Sequence, residues 1–367
     1  MSSPSVIRGI GSKSPENWKS PQELEYPPRK FNDDDVLIKV HSCGVCGSDV
    51  HASAGNWGPY PGEHLVVGHE IVGRVEKVGP KVTEFKVGDI VGVGAAAGAC
   101  GECENCKSDN EQYCNKLIQT YNTPNWKADG YVTQGGYSSH VIIEENFVFP
   151  IPEGFPEDLA GPLMCAGLTV FSPLWRSLNG DGKGKTVGII GIGGLGHLAI
   201  QFAKALGAEV VAFSRSSSKK ADALKLGADE FIATGEEPEW NSKYSRHFDL
   251  LLNCATSFTG INYGDFFPCI KVGGDFITVG APAGNELLSL HSFQLIQTGA
   301  SMSGSLVGSK KEALIMLDLA AKNKIYPVVE KLPISVESVQ TVLTRAQKSD
   351  VKYRFVLTDI EEYFDKK

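Results

Sequence analysis

The sequence of 367 residues predicts an α/β protein with two domains, a mostly β part followed by a parallel sheet with intervening helices. Up to about residue 155, short runs rich in Val and Ile alternate with Gly and Pro, a pattern typical of strands and turns. Beyond that point, apolar runs alternate with helix-length segments, a pattern typical of βαβ units. A hydrophobic content of 42% allows each part a sizeable core.

The first part contains four apolar runs that we interpret as strands: VLIKV (36–40), EIVGRVEKV (70–78), DIVGVG (89–94) and SHVIIEENFVFPIPE (139–153). A longer apolar stretch follows, LAGPLMCAGLTVFSPLW (159–175). It contains two prolines and is short for a membrane span, so it predicts a buried core helix.

The second part contains six candidate strands: TVGII (186–190), EVVAF (209–213), EFIA (230–233), FDLLLNC (248–254), DFITV (275–279) and SMSGSL (301–306). Several are continuously apolar, as expected for parallel strands that are buried on both faces. Between the first two, apolar residues recur at helical spacing and predict one buried helix face: Leu195, Leu198, Ala199, Phe202, Ala203 and Leu206. These elements form a βαβ unit.

Composition narrows the class of ligand. The net charge is −8 and the chain has no basic block, which argues against nucleic acid or an anionic membrane as partner and favours a small molecule. The N-terminal segment shows no secretory signal, so we expect a cytoplasmic protein. In a reducing cytosol, an odd number of cysteines, nine, favours metal binding over a disulfide framework.

The hexamer GIGGLG lies between a predicted strand and a predicted helix. Gly191, Gly193 and Gly196 match the G-x-G-x-x-G pattern, in which glycines allow a tight turn and close approach of a pyrophosphate. Backbone N–H groups of this turn, including those of Gly194 and Leu195, and the helix dipole would then meet the phosphates. A glycine-rich turn that only aids packing is the alternative.

The stretch VVAFSRSSSKK, which follows the second strand of this unit, predicts the choice of dinucleotide. NAD-binding units carry an acid about twenty residues beyond the glycine turn, and this window contains none. Instead, the window offers positive charge and hydroxyl groups, which suit the 2′-phosphate of NADP(H). These groups belong to Ser214, Arg215, Ser216 and Lys219. The alternative is a solvated basic turn that only caps the next helix.

The stretch ACGECENCKSDNEQYCN (99–115) contains a cluster with the spacing C-x2-C-x2-C-x7-C. Four thiolates held by tight turns form a closed tetrahedral set, so the spacing predicts a structural zinc site at Cys100, Cys103, Cys106 and Cys114. An iron–sulfur cluster takes the same ligands and stays open at this point.

A second set of metal-binding residue types is dispersed in the segments CGVCGSDVH, VGHE and PLMCAGLT. Two cysteines and one histidine, Cys46, His69 and Cys165, would bind a catalytic zinc and leave a fourth position open. Periodicity cannot show that such distant residues converge. Taken alone, CGVC could be a redox motif and Cys165 an inert buried thiol.

The motifs together resemble the zinc-containing medium-chain alcohol dehydrogenases, in particular their NADP-dependent cinnamyl alcohol dehydrogenase branch and its broad-specificity fungal members. The resemblance covers nearly the whole chain and rests on motifs in the same order: CGVCGSDVH, GHE, CGECENC, YNTPNWKADGYVTQGGYS, PLMCAGLTVFSPL, GIGGLG and KYRFVL. It implies a GroES-like catalytic domain (1–160) with a structural zinc lobe (99–115), a doubly wound Rossmann NADP-binding domain (161–307), and a C-terminal segment (308–367) that completes the catalytic domain.

The resemblance also implies roles for individual residues. Glu70 would lie close enough to the catalytic zinc to replace its water, Asp49 would orient His69, and Ser48 and His51 would carry the proton. Contacts to the cofactor would come from Thr169, Val279, Ser305, Val307 and Arg354, and substrate contacts from Trp57 and Trp126. Packing of Trp126 in the β-rich core is the alternative for that residue.

The implied function is zinc-dependent, reversible hydride transfer between NADPH and cinnamyl, benzyl or medium-chain aliphatic aldehydes, with two zinc ions per chain in a homodimer. A polyol or formaldehyde dehydrogenase of the same superfamily is one alternative. A nucleotide-binding protein without catalysis is another, but it would have no need of an open zinc site.

Overall fold

The structure, a computed structural model, describes residues 4–282 and 286–366. It contains two compact units. The first unit comprises Met1–Cys165, Ser309–Ala321 and Tyr326–Lys367, and the second comprises Ala166–Gly308 and Lys322–Ile325. No helix among the described residues is long and apolar enough to cross a membrane.

The N-terminal part of the first unit is built mostly from short strands, as its sequence predicts. The strands are β1 (Ile7–Gly11), β2 (Gln22–Tyr26), β3 (Asp35–Val45), β4 (Glu70–Val78), β5 (Ile90–Val93), β6 (Ala96–Gly98), β7 (Ile118–Gln119), β8 (Pro124–Asn125), β9 (Tyr131–Val132), β10 (His140–Glu144) and β11 (Val148–Pro150). Its helices are α1 (Gly47–Ser53), α2 (Glu104–Lys107) and α3 (Glu157–Ala160).

The second unit contains a six-stranded sheet in the order β14-β13-β12-β15-β16-β17. Every neighbouring pair is parallel, and the order is that of a doubly wound dinucleotide-binding fold. The strands are β12 (Thr186–Ile190), β13 (Glu209–Ser214), β14 (Glu230–Ala233), β15 (Phe248–Asn253), β16 (Ile270–Thr278) and β17 (Ser301–Gly304), and the helices are α4 (Ala166–Ser177), α5 (Gly196–Ala205), α6 (Lys220–Lys225) and α7 (Ser292–Thr298).

The six strands predicted for the second part are therefore confirmed. The predicted helix is also confirmed, and four residues of its predicted face are fully buried: Leu198, Ala199, Phe202 and Ala203. Burial extends beyond that face to His197 and Ile200, whereas Leu195 precedes α5 and is half-buried.

The C-terminal segment contains α8 (Lys310–Asn323), β18 (Val329–Pro333), α9 (Val336–Gln347), β19 (Arg354–Thr358) and α10 (Ile360–Asp365). Its strands extend the main sheet of the first unit, whose order is β11-β5-β4-β3-β19-β18, with β10 also paired to β3. This pairing sets β3 between β4 and β19. The N-terminal end of β4 and the start of β19 carry residues of the candidate site.

The single core helix predicted over 159–175 is wrong. The stretch divides into α3, a 3-10 turn (Gly161–Met164) and α4, and Cys165 at the break has φ −120° and ψ −73°. Pro162 lies in the first turn of the 3-10 segment, where it favours a new start over continuation of α3. A side chain at Gly161 would come within 2.5 Å of the Glu70 carbonyl oxygen, so the turn approaches β4 closely. The break positions the Cys165 thiol beside His69.

Candidate active site and metal centres

The first ligand of the candidate catalytic site, Cys46, precedes α1. Its backbone N–H donates to Asp49 Oδ2 at 2.8 Å, which fixes the turn at the start of the helix. Cys46 Sγ lies 3.9 Å from Cys165 Sγ, and Cys165 Sγ lies 3.1 Å from His69 Nε2. Two thiolates on a tetrahedral zinc are separated by about 3.8 Å. The dispersed residues thus converge at spacings that fit this metal.

The fourth member of the cluster is Glu70, the first residue of β4. The ligand atoms of Cys46, His69, Glu70 and Cys165 all lie within 4.8 Å of one another. Glu70 and Arg354 form a buried ion pair across β3, where a side chain at Gly44 would overlap the Glu70 carboxylate. The other carboxylate oxygen, Oε2, is buried and finds no hydrogen-bond partner among the described residues. It is an acceptor suited to a cation.

Arg354 is therefore placed against Glu70, whereas the resemblance implies a cofactor contact for this residue. The two residues are 284 positions apart, and nothing in the local sequence indicates their pairing. The ion pair holds the Glu70 carboxylate at the metal cluster.

The orientation of His69 depends on Tyr121, a residue for which the sequence predicts no role at the metal. Tyr121 OH lies 3.1 Å from His69 Nδ1, and the two rings stack with centroids 5.4 Å apart. Asp49 Oδ1, the predicted partner, lies at 3.6 Å. The Asp49 carboxylate instead accepts hydrogen bonds from the Gly68 N–H and the Tyr137 hydroxyl.

Electrostatics in the cluster favour metal ligation. A hydrogen bond from Cys165 lowers the pKa of Cys46 well below its ordinary value, against the effect of burial. Burial lowers the pKa of His69, but Asp49 and Cys46 raise it further, so its net shift is upward. The pocket therefore stabilises a thiolate beside a positive charge. A divalent cation would take the place of that proton.

The predicted proton relay begins beside Cys46, whose Sγ lies 3.6 Å from Ser48 Oγ. His51 is half-buried on α1, and its Nδ1 lies 3.0 Å from Asn56 Nδ2. Burial lowers the pKa of His51, so the neutral form predominates at pH 7. The ring of Trp57 lies 5.0 Å from the His51 ring, and this side chain is 54% exposed.

Trp126 is 49% exposed, so it does not pack in the β-rich core. Its Nε1–H donates to the Lys116 carbonyl at 3.0 Å. The ammonium groups of Lys116 and Lys127 lie 5.5 and 5.2 Å from its ring centre. Its role as a substrate contact stays a prediction.

The second metal cluster lies in the segment predicted from the cysteine spacing. Four neighbouring Sγ–Sγ distances among Cys100, Cys103, Cys106 and Cys114 lie between 3.5 and 3.9 Å, as a tetrahedral zinc site requires. All nine cysteines lie in the described part of the chain, and none forms a disulfide bond.

The protonation of these thiols also points to a cation. Backbone N–H groups of Glu102 and Cys103 lower the pKa of Cys100 to about 6. Burial and the neighbouring thiols raise the pKa of Cys106 to about 12, so four adjacent thiolates are not stable without a positive charge between them.

The glycine turn has the geometry that each position requires. Gly191 has φ 87°, a side chain at Gly196 would overlap the Gly191 carbonyl, and Gly193 faces open space where a phosphate could approach. Sequence reasoning missed His197, whose Nδ1 lies 2.9 Å from the Gly193 carbonyl oxygen. Burial lowers the pKa of His197 to about 4, so a neutral ring supports the turn.

The loop predicted to bind the 2′-phosphate follows β13. Lys219 Nζ donates to the Ile192 carbonyl at 2.5 Å, which brings this half-buried ammonium to the glycine turn. Ser216 Oγ and Ser218 Oγ lie 3.0 Å apart at the loop surface, and Arg215 is exposed. Lys219 is thus adjacent to the turn, and recognition of a 2′-phosphate by this loop stays a prediction.

The residues predicted to contact the nicotinamide ring of the cofactor are Thr169, Val279, Ser305 and Val307. The N–H groups of Val279 and Ser305 already donate to the carbonyls of Asn253 and Thr278, so a carboxamide would have to use other groups there. Val307 has φ 45°, an uncommon conformation for a β-branched residue and one that occurs at ligand sites. Thr169 is buried on α4.

Comparison with known proteins places this geometry in a family. The model of the alcohol dehydrogenase GroES-like domain matches residues 32–153, and that of the zinc-binding dehydrogenases matches residues 194–322. The chain is 47% identical over 365 residues to NADP-dependent alcohol dehydrogenase 6 of Saccharomyces cerevisiae, with 99% of each chain covered. It is 43% identical over 337 residues to mannitol dehydrogenase of Petroselinum crispum, covering 91% of this chain and 96% of that protein.

Among solved structures, the fold matches a cinnamyl alcohol dehydrogenase of Sorghum bicolor with a TM-score of 0.88 and 34% identity, covering 96% of this chain and 97% of that one. The chain therefore belongs to the zinc-binding medium-chain alcohol dehydrogenase family. The GroES-like and Rossmann fold that the resemblance implies is confirmed.

Proposed function

We propose that this chain is a zinc- and NADP(H)-dependent alcohol dehydrogenase that reversibly transfers hydride between NADPH and aromatic or medium-chain aliphatic aldehydes. The convergence of Cys46, His69, Cys165 and Glu70 carries this proposal, because the set contains three catalytic ligands and one carboxylate that can yield to substrate. A protein that only binds nucleotide gains nothing from such a set.

Each residue of the site then has a chemical task. Cys46, His69 and Cys165 would hold the catalytic zinc, and Arg354 would restrain Glu70 beside it. When bound, the zinc supplies Lewis-acid polarisation of a carbonyl and NADPH supplies the hydride. Ser48 Oγ lies beside the Cys46 sulfur at the edge of the cluster, and His51 would exchange a proton with solvent.

The four clustered cysteines would hold a second zinc with a purely structural role, since a closed set of thiolates leaves no position for substrate. We also propose that residues 1–160 and 308–367 act as the catalytic domain and residues 161–307 as the NADP-binding domain.

Initial rates on a panel of compounds test the proposed reaction. We expect NADPH-dependent reduction of cinnamaldehyde and benzaldehyde to exceed formaldehyde reduction and the oxidation of mannitol and sorbitol by at least tenfold in kcat/KM, about 1.4 kcal/mol. The physical basis is the exposed aromatic ring of Trp57 beside His51, which can contact flat apolar substrates. Higher kcat/KM on mannitol or formaldehyde would support the polyol or formaldehyde dehydrogenase alternative.

We expect His51→Gln to lower the rate of aldehyde reduction on the order of tenfold. Because burial lowers the pKa of His51, its protonated form increases only as pH falls below the ordinary range of histidine. Wild-type single-turnover reduction should therefore accelerate only as pH falls below about 6.5, the ordinary pKa of histidine, and the variant should lose this dependence. His64→Gln is the control, since burial also lowers the pKa of that histidine. Identical profiles for wild type and His51→Gln would assign proton transfer to another group.

We further propose a homodimer formed through the second unit, where β17 stands at one end of the strand order and exposes all four residues. Large apolar side chains are exposed on the same unit: Val272, Leu287, Phe293, Ile296, Met302 and Leu306. Such an edge and such residues are typical of an interface between copies. The cytoplasmic location expected from the sequence stays a prediction.

Light scattering tests this assembly. Wild type should have twice the chain mass of 39.5 kDa, and Ile296→Glu should shift the population toward the monomer because it places charge among these apolar residues. Leu224→Glu, an exposed leucine on α6 of the same unit, is the matched control. A monomeric wild type would refute the dimer.

A further inference from the structure

The loop 214–219, which selects NADP(H) under the proposed function, contacts a turn from the next strand. β13 and β14 are parallel neighbours in which Ser214 pairs with Ala233, so both strands end at the same edge of the sheet. We propose that residues 234–236, here called the clamp, hold this loop in the conformation that recognises the 2′-phosphate. Glu236 is its key positioning residue.

Backbone hydrogen bonds connect the clamp to the start of the loop. The Thr234 N–H donates to the Ser214 carbonyl at 2.8 Å, and the Gly235 N–H donates to the Arg215 carbonyl at 3.0 Å. The Thr234 hydroxyl donates to the Ser214 carbonyl at 3.3 Å. The backbone of two residues predicted to bind phosphate is therefore fixed from the clamp side.

Glu236 anchors the middle of the loop. Its Oε1 accepts the Ser217 N–H at 3.1 Å, immediately before Ser218 and Lys219. Arg215 and Ser217 are both exposed, so little packing competes with these hydrogen bonds in determining loop shape. An anchored loop loses less conformational freedom when it binds phosphate than a mobile one does.

Gly235 is needed for this contact because a side chain there would lie 2.6 Å from the Arg215 carbonyl oxygen. That distance is too short for a carbon–oxygen contact, so Gly235→Ala must displace the backbone of Arg215. The glycine permits close approach of the two turns.

The role of Glu236 differs from that of the acid that binds the ribose in NAD-dependent enzymes. That acid lies at the end of the second strand and contacts the 2′-hydroxyl directly. Glu236 follows the third strand, and its carboxylate is engaged by the Ser217 N–H. Its contribution is the hydrogen bond and not the charge, so glutamine should replace it.

Calorimetric titration of the full-length, zinc-loaded protein with adenosine 2′,5′-bisphosphate and with adenosine 5′-monophosphate tests the clamp without turnover. Glu236→Ala should weaken bisphosphate binding roughly two- to tenfold, as loss of one hydrogen bond implies, and leave monophosphate binding unchanged. Glu236→Gln should bind the bisphosphate with wild-type affinity. Gly235→Ala should reduce the affinity for the bisphosphate at least as much as Glu236→Ala does.

Glu237→Ala is the matched control. Glu237 is the adjacent acid, and its Oε1 accepts the Ala233 N–H at 3.0 Å, within its own turn. This variant should bind both nucleotides like wild type. The melting temperature of each variant shows whether it is folded.

The outcomes separate this inference, which rests on the proposed function, from that function itself. A wild type that binds the two nucleotides equally refutes NADP(H) preference. A wild type that prefers the bisphosphate, with Glu236→Ala and Gly235→Ala keeping the same preference, refutes only the clamp. Parallel weakening of both nucleotides in Glu236→Ala, or failure of Glu236→Gln to restore binding, shows that Glu236 does not act by positioning Ser217.

Discussion

Replacing Cys46 with serine is expected to lower turnover by more than a hundredfold while leaving the fold nearly intact. Replacing Cys103 with serine is expected mainly to lower the stability of the protein. Cys46 belongs to a set whose fourth member, Glu70, is restrained by Arg354, so the surrounding structure does not depend on one thiol. The polarising ion would be lost with little change in the fold.

Cys103 immediately precedes the helix of the structural zinc lobe. Its short helix α2 has four residues and none of them is buried, so the metal must supply much of the folding free energy of this lobe. The lobe also supports the start of α8, because the buried Glu111 carboxylate accepts the Lys310 N–H at 2.5 Å. Loss of its zinc should therefore lower the melting temperature by several degrees.

The catalytic role of the Cys46 site and the structural role of the Cys103 site can be tested on the same preparations. The measurements are elemental analysis, calorimetry and initial rates. Wild type should contain two zinc ions per chain, and each variant about one. Cys43→Ala is the control. Cys43 is buried and lies close to Cys46 in the sequence, but it belongs to neither metal cluster found among the described residues. Equal losses of stability in Cys46→Ser and Cys103→Ser would contradict the division into catalytic and structural sites.

Local patterns predicted the parts of the fold that depend on local physics. Continuous apolar runs identified the parallel strands, and helical spacing identified the buried face of α5. The glycine turn and the cysteine lobe were also predictable, because each of these sites is formed within one short segment. In both, the spacing along the chain fixes the geometry.

Contacts between distant segments were not predictable in the same way. The approach of Tyr121 to His69 and of Arg354 to Glu70 depends on the pairing of β3 with its neighbours, which no single segment encodes. Convergence of Cys46, His69 and Cys165 was expected from the resemblance alone. The interruption between α3 and α4 at Cys165 was not predicted, because the pattern of apolar residues gives no information on the close approach of Gly161 to β4.

The same limit applied to the cofactor loop. The loop itself contains no acidic residue, although Glu236 contacts it from the following turn. The contact between Glu236 and Ser217 could not be predicted because the two residues are far apart in the sequence. The positive charge of Arg215 and Lys219 could be predicted from the loop sequence itself. These two residues therefore carry the strongest prediction about the cofactor.

Replacing both Arg215 and Lys219 with alanine is expected to raise the KM for NADPH by about a hundredfold and to change the KM for NADH little. Each side chain can make a charge-assisted hydrogen bond to a 2′-phosphate, and such bonds contribute about 1.5–3 kcal/mol. NADH has no phosphate at that position, so it loses no partner.

The position of Lys219 adds a pH signature to this prediction. Burial and repulsion from Arg215 lower the pKa of Lys219, so its ammonium deprotonates at lower pH than an exposed lysine. The protonated form binds phosphate, and NADPH affinity should therefore decline as pH rises through that lowered pKa. Lys219→Ala alone should therefore remove the decline.

Initial rates with both cofactors, for wild type, the single variants and the double variant, test this prediction. Lys220→Ala is the matched control, because Lys220 is an exposed lysine beside Lys219 and begins α6. If the charges bind the phosphate, the double variant loses NADPH specificity while kcat with saturating NADPH changes little, since these side chains would contact the 2′-phosphate and not the hydride-donating ring. Equal kcat/KM for NADPH and NADH in wild type would instead mean that these residues only solvate the turn before α6, and NADP(H) preference would have to be abandoned.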